Sequence, residues 1–155
     1  MKAEKERGHG MKIIIEEKKD LAETEITVRC REMTEALAEA ISQIGLADHV
    51  YAGRRGEETF FVPLREIYYF EAVEGKLFFY TEKDIYESAV RLYKVEENLE
   101  GTSFARISKT MITNLKKMRS IKPIENSRLI ATMTNGEKLV VSRQYVPEIK
   151  KKLGV

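Results

Sequence analysis

The 155-residue chain has one cysteine and two histidines. A lone cysteine, Cys30, cannot close an internal disulfide and suits a reducing cytoplasm. In its predicted strand it reads as a small half-buried hydrophobe rather than a reactive thiol. Neither His9 nor His49 has a Cys, Asp or Ser pattern around it that would pair a nucleophile with a base. No His/Cys/Asp cluster has metal-ligand spacing. Gly53-x-x-Gly56 has too few glycines, and no Lys-Ser/Thr after them, to cradle a phosphate. The acid pairs Glu57-Glu58 and Glu96-Glu97 fall on a predicted loop and an exposed helix face, where they read as solvated charge. No catalytic residue, metal or cofactor is therefore expected, and the chain reads as a non-enzyme. No apolar run approaches a membrane span. No apolar stretch behind the charged start could serve as a signal peptide. Internal repeats and low-complexity linkers are absent.

What the chain does have is charge, unevenly placed. Residues 104–155 carry twelve Lys/Arg and three acids, a net +9. Residues 1–103 carry fifteen Lys/Arg and twenty-two acids, a net −7. The overall +2 hides this asymmetry. A basic third built of short strands suggests an ordered surface for a polyanion, most often nucleic acid; a merely solvated basic face is the competing reading.

The length fits one domain with a small appendage. Residues 1–10 read as a disordered leader or tag. Residues 11–49 read as strand–strand–helix: a β-branched run at 11–15, an alternating stretch at 23–30, and a helix through Met33, Leu37, Ile41 and Ile44 that Gly45 is placed to end. Such a segment is too small to be stable alone. Its apolar stripe must pack on the rest of the chain or on a second copy.

From residue 50 onward short strands alternate with turn signals. Residues 50–52 and 59–63 flank a hairpin loop at 53–56, and residues 67–72 and 77–81 flank another at 73–76. A brief strand is expected at 84–87. Ser88 is placed to cap a helix over 89–100, with Gly101 ending it. Strands are expected at 104–107, 118–123, 128–134 and 138–141, with a helical turn or loop at 110–115. Asn135-Gly136 predicts a type I′ turn, since both central positions there require positive φ. A helix over 145–153 closes the chain. The fold class is mainly β (α+β), with a few short helices.

A helix-turn-helix fits poorly, because strands separate the helices and no helix concentrates the cations. Contacts to DNA would have to come from loops between strands. Gly75-Lys76, Ser108-Lys109-Thr110 and Ser142-Arg143-Gln144 each place a cation among small polar neighbours at a strand end. Backbone N–H and hydroxyls can hold phosphates there, while Arg or Lys reaches base edges.

Three segments then form a recognisable series. Phe104-Ala105-Arg106-Ile107-Ser108-Lys109-Thr110-Met111-Ile112-Thr113-Asn114 resembles the central motif of the LytTR DNA-binding domain. Asn135-Gly136-Glu137-Lys138 with Val141-Ser142-Arg143-Gln144-Tyr145 resembles that family's closing motif. Ile67-Tyr68-Tyr69-Phe70-Glu71-Ala72 with Gly75-Lys76 resembles its opening hairpin. The series runs over about 61–153. The resemblance implies a mostly antiparallel β module of bacterial transcription regulators, whose inter-strand loops enter successive major grooves of double-stranded DNA. It implies Lys76 or its neighbour Gly75, Lys109 and Arg143 as base readers and Ser108 as a phosphate ligand. Asn114 belongs to the same contact segment, with a mainly structural part. Arg106 divides between phosphate binding and a salt bridge. Lys116, Lys117, Lys122 and Lys150 are diffuse phosphate neutralisers or solvated charge, and Tyr145 packs its helix.

Where many members have His-Arg, this chain has Ser108-Lys109. Lysine is a point cation without the planar fork that reads guanine bidentately. Residues 1–50 are too short for the receiver domain that usually precedes such a module and lack its strand–acid pattern. Residues 11–49 are expected either to dimerise the protein or to pack in cis. The overall expectation is a cytoplasmic, homodimeric DNA-binding regulator with 50–155 as its DNA-binding domain. A protein-interaction or adaptor module that has lost specific DNA binding is the alternative. An RNA reader ranks lower, since the basic third lacks exposed aromatics for base stacking.

Overall fold

The computed structural model describes residues 2–5, 10–47 and 50–155. His9 and His49 lie outside them, as do residue 1 and the rest of 6–9 in the expected leader. The chain divides into two compact units, Met1–Glu32 and Met33–Val155.

The first unit holds two antiparallel strands, β1 (Lys2–Lys5) and β2 (Ile13–Glu16), with Ala3 opposite Ile15 and Lys5 opposite Ile13. Within the expected leader or tag, Lys2–Lys5 form a strand. The alternating stretch 23–30 forms no strand, and Ile26, Val28 and Cys30 are exposed. Alternation specifies a face, but a strand also needs a neighbour to accept its hydrogen bonds.

The second unit begins with α1 (Glu35–Ala47), which packs on β3 and buries Ala38 and Ile41. Gly45 does not end this helix, which continues to Ala47. Then come β3 (Val50–Arg55), β4 (Glu58–Pro63), β5 (Tyr69–Val73), β6 (Lys76–Tyr80), β7 (Ile85–Ser88) and the short helix α2 (Leu92–Asn98). The chain continues with β8 (Phe104–Ser108), β9 (Met111–Asn114), β10 (Met118–Ile124), β11 (Arg128–Met133), β12 (Lys138–Val141) and α3 (Val146–Leu153). The fold is mostly antiparallel β with a few short helices.

Seven strands form one sheet in the order β4-β3-β7-β6-β5-β9-β8, and three form another in the order β10-β11-β12. Side chains alternate between sheet faces, so the larger sheet feeds two cores. One is aromatic: Tyr51, Phe70, Phe79, Tyr86 and Phe104 pack with Val95 and Leu99 of the α2 region. Within it, Phe70 meets both Tyr51 and Phe104 edge-on, at centroid distances of 5.1 and 5.8 Å. The other core joins Tyr68, Tyr69, Ala105 and Ile107 to Leu129, Ala131, Met133 and Val141 of the smaller sheet and Ile149 of α3.

Four further expectations are corrected. In place of a helical turn at 110–115, Met111–Asn114 is a strand, pairing with β5 and β8. Ser88 ends β7 instead of capping a helix; its hydroxyl accepts the Val90 N–H, and α2 starts only at Leu92. The hairpin at Asn135-Gly136 is not type I′, since of the two only Gly136 has positive φ. The Gly136 N–H bonds the Met133 carbonyl, and the Met133 N–H bonds the Glu137 carbonyl. That pattern is a turn followed by a left-handed glycine, the three-residue hairpin loop with a bulge.

Gly53 is the fourth. Expected in a loop, it lies inside β3, and the actual turn falls at Gly56-Glu57. A Cβ on Gly53 would stand 2.2 Å from Phe79 Cζ and 2.8 Å from Tyr86 Cβ. The absent side chain is what lets these stacked rings lie on the strand. Gly53→Ala should therefore lower unfolding free energy by about 3 kcal/mol, the upper end for overpacking a filled core. Urea denaturation of the two proteins measures this.

Candidate nucleic-acid interface

The three loops singled out in the sequence converge at one end of the strands. β5 and β6 meet in a two-residue turn whose central residues, Glu74 and Gly75, have φ of 50° and 79°. This type I′ geometry matches the right-handed strand twist, and it sets Lys76 at the start of β6. Lys76 Nζ stands 4.0 Å from a Glu87 carboxylate oxygen, an exposed pair. The acid at the tip itself, Glu74, is exposed and was not singled out from sequence.

Beside this hairpin lies the β8–β9 turn. The Ala72 N–H donates to the Thr110 carbonyl at 2.8 Å, tying the two tips together. Arg106 pairs with Ile112 and Ser108 with Met111, so Ile107 is left without a partner in the ladder. Such a bulge kinks the strand and re-aims the residues after it. The turn is braced from within. The Ser108 hydroxyl accepts the Thr110 N–H at 3.2 Å, and Arg106 Nη1 donates to the Lys109 carbonyl at 2.9 Å. Lys109 itself is exposed and has no ion pair among the described residues.

The third loop joins on the far side. The Ser142 N–H donates to the Ile107 carbonyl at 2.8 Å. Arg143 follows at once, exposed, in a short 3-10 turn that leads into α3, and it too has no ion pair among the described residues. The order along this edge is therefore Gly75-Lys76, Ser108-Lys109, Ser142-Arg143. Neighbouring strands lie about 4.8 Å apart, which separates the first two hairpin tips by about 10 Å.

A fourth loop shares the edge and was not singled out. Leu129 pairs with Val141, so the turn Glu125–Ser127 lies beside Ser142 and Arg143. Asn126 and Ser127 both have positive φ, at 62° and 59°. Asn before Ser is the only sequence signal for such a turn, and it is weak.

Other expected contact residues stand elsewhere. Asn114 is buried and its side-chain amide is held within the fold, in keeping with the mainly structural part expected of it. Nδ2 donates to the Ile67 carbonyl at 3.0 Å, while Oδ1 accepts from the Ser103 hydroxyl at 2.8 Å and the Lys116 N–H at 3.1 Å. Arg106 is mostly buried at its side chain and lies 3.5 Å from Glu96, so of its two readings the salt bridge is the one the structure contains.

Lys116 and Lys117 follow β9 at the end opposite Lys109, about 13 Å away along a four-residue strand. Lys117 Nζ lies 5.1 Å above the Tyr68 ring. Lys122 is exposed on β10, and Lys150 on α3. Tyr145 packs against the second core, as expected.

At the end of the strands opposite the three loops, two phenols titrate above their ordinary range. Burial comes first for Tyr69, followed by its hydrogen bond to Glu137 at 2.9 Å. Burial and Glu71 act in the same way on Tyr80. Both therefore stay neutral donors, and Tyr69 pins the β11–β12 hairpin to the large sheet.

The arrangement defines a β-rich module that offers small polar and cationic residues from inter-strand loops along one edge. The family model of the LytTr DNA-binding domain matches residues 57–154, and the chain belongs to that family. The sensory transduction protein LytT of Enterococcus faecalis is 30% identical over 125 residues, covering 81% of this chain and 52% of that protein. The transcriptional regulatory protein YpdB of Escherichia coli K12 is 29% identical over 97 residues, covering 62% of this chain and 40% of that protein. A solved LytTr DNA-binding domain from Bacillus cereus superposes with a TM-score of 0.65 at 27% identity, covering 69% of this chain and 98% of that one. The chain spans about half the length of the LytT proteins it matches.

Replacing Asn114 by Ala would strand the Ile67 carbonyl, the Ser103 hydroxyl and the Lys116 N–H. Stability should fall by about 2–3 kcal/mol, as for a buried polar group left unpaired. Lys109→Ala should leave the melting temperature within about a degree or two of the parent, as for an exposed side chain with no ion pair among the described residues. Differential scanning calorimetry of both variants checks this contrast.

Proposed function

We propose that this chain is a cytoplasmic, sequence-specific regulator of transcription that binds double-stranded DNA as a homodimer. Its inter-strand loops enter successive major grooves. Gly75 or Lys76, Lys109 and Arg143 read base edges, and Ser108 holds a phosphate. The observation that carries this reading is the single edge formed by the three loops, stitched by the Ala72–Thr110 and Ser142–Ile107 backbone bonds. A duplex is a long object. It can touch three loops only if they face one way, and bracing inside the turns keeps their cations in register. Family membership adds the resemblance to LytT and YpdB. No helix among the described residues is long and apolar enough to cross a membrane.

Arg106 acts here as a brace for the Lys109 turn. Lys116 and Lys117, at the opposite end of β9, supply at most distant electrostatic attraction. Lys122 and Lys150 remain phosphate neutralisers on the exposed faces of the smaller sheet and α3.

For the homodimer, support comes from the first unit. Ala38 and Ile41 of α1 already pack on β3, although Ile44 stays exposed, and the larger exposed apolar cluster lies in residues 11–32. There, Ile13, Ile14 and Ile15 are about half exposed on a ribbon of only two strands. Two strands alone are marginal in water. An antiparallel copy of β2 centred on Ile14 would set Ile13 opposite Ile15 and Lys12 opposite Glu16, a self-complementary register of the kind a two-fold interface needs.

Selection from a pool of random duplexes should enrich a defined motif. Arg143→Ala should then weaken the selected duplex by about 1–3 kcal/mol while leaving random DNA nearly unchanged. Equal losses on both would remove Arg143 from base reading, and failure to enrich any motif would favour the adaptor reading. Separately, Ile14→Glu should convert the dimer to a monomer in sedimentation equilibrium. An unchanged mass would place the subunit contact elsewhere.

A further inference from the structure

Behind the β5–β6 hairpin runs an open groove of about 450 Å³ that the proposed base readers do not exhaust. Lys76 and Lys109 form part of its lining, and so do Arg91, Arg106, Glu35 and Glu87. Four cations against two acids make the groove positive. Three of these cations already have carboxylate partners. Arg106 is held by Glu96 and is mostly buried, and Lys76 stands beside Glu87. Arg91 is the most exposed of the three. It lies just before α2, its side chain is 72% exposed, and its Nε is 3.9 Å from Glu35, itself 62% exposed. An exposed pair at that separation adds little to stability and gives way readily to a better anion.

Resting on the DNA-binding reading above, we propose that Arg91 is a DNA-phosphate ligand that exchanges Glu35 for a backbone phosphate when the duplex docks. The groove continues the edge formed by Lys76 and Lys109, so a strand whose bases meet those tips runs its phosphates past the groove mouth. A guanidinium can take two phosphate oxygens in parallel, a stronger arrangement than the single long contact to Glu35. Glu35 belongs to α1, outside the family match at 57–154. The exchange thus lets a segment beyond the family domain set how tightly that domain holds DNA. Glu35 is a competing anion built into the site: it neutralises Arg91 in the free protein and is released to solvent in the complex.

The test is binding of the full chain to its selected duplex and to random duplex over a salt series. Arg91→Ala should lower the slope of log K against log salt by about one, the loss of one phosphate contact. It should weaken both duplexes alike. Glu35→Gln should tighten both several-fold at low salt, and that gain should largely vanish in the Arg91→Ala background, since the two residues act as a pair. An unchanged slope for Arg91→Ala, with wild-type binding intact, overturns the exchange and leaves the DNA-binding reading standing. So does a Glu35→Gln gain that survives without Arg91, which would mean that Glu35 repels the duplex directly. Wild-type protein that binds no DNA overturns both readings. Thermal melting of each variant confirms the fold, and Arg91→Gln serves as a second probe of the same contact.

Discussion

One backbone hydrogen bond, from the Ser142 N–H to the Ile107 carbonyl, decides where Arg143 can be. The large sheet ends at β8, and the smaller sheet is a separate hydrogen-bonded ladder. Side-chain packing in the second core holds the two faces together, but apolar packing is not directional and would tolerate sliding. The hydrogen bond is directional. It can form because the bulge leaves Ile107 without a cross-strand partner, while its side chain is completely buried beside Val141 and Ile149. The same residue thus anchors the core and fixes the register between the two ladders. Without that register, Lys109 and Arg143 would each be presented well and not together.

Rigidity at the tips comes from polar groups spent within the turns. Arg106 braces the Lys109 carbonyl and is itself held by Glu96; Ser108 closes on Thr110. These residues sit next to the exposed cations in sequence and look equally available for a ligand. The structure sorts them by burial and partnership. A side chain already holding two groups positions its neighbour, and the neighbour left with none among the described residues is the one exposed at the tip.

Much of this was legible in the sequence. Short strands with turn signals between them, the β5–β6 hairpin and the final helix follow from alternation and periodicity, and the three loops stand out as cation-bearing strand ends. Other features needed information that no local pattern holds. Met111–Asn114 is too brief to show alternation, and its strand character comes from having β5 on one side and β8 on the other. Gly53 looks like a turn residue until Phe79 and Tyr86 are seen lying on it. Residues 23–30 alternate well and still form no strand, because a neighbour was never specified. Asn114 occurs among contact residues in a shared motif, yet its chemistry is spent inside the fold.

The division of charge along the chain also changes meaning in three dimensions. The basic third suggested the ligand, but its cations do not form one surface. Lys109 and Arg143 reach the edge, while Lys116 and Lys117 are carried to the other end of β9. Conversely, Lys76 and Arg91 come to that edge from the part of the chain with net negative charge. Each arrives with an acid beside it, Glu87 or Glu35, whereas Lys109 and Arg143 arrive with none among the described residues. The edge therefore has two kinds of cation. On the proposed reading, unpaired ones would lose only water to a docking duplex, while paired ones would first give up a carboxylate. That makes the contribution of the second kind depend on the acids that accompany them. Because Glu35 lies on a helix outside the family match, on the proposed reading related chains can share the same loops and still differ in how firmly they hold DNA.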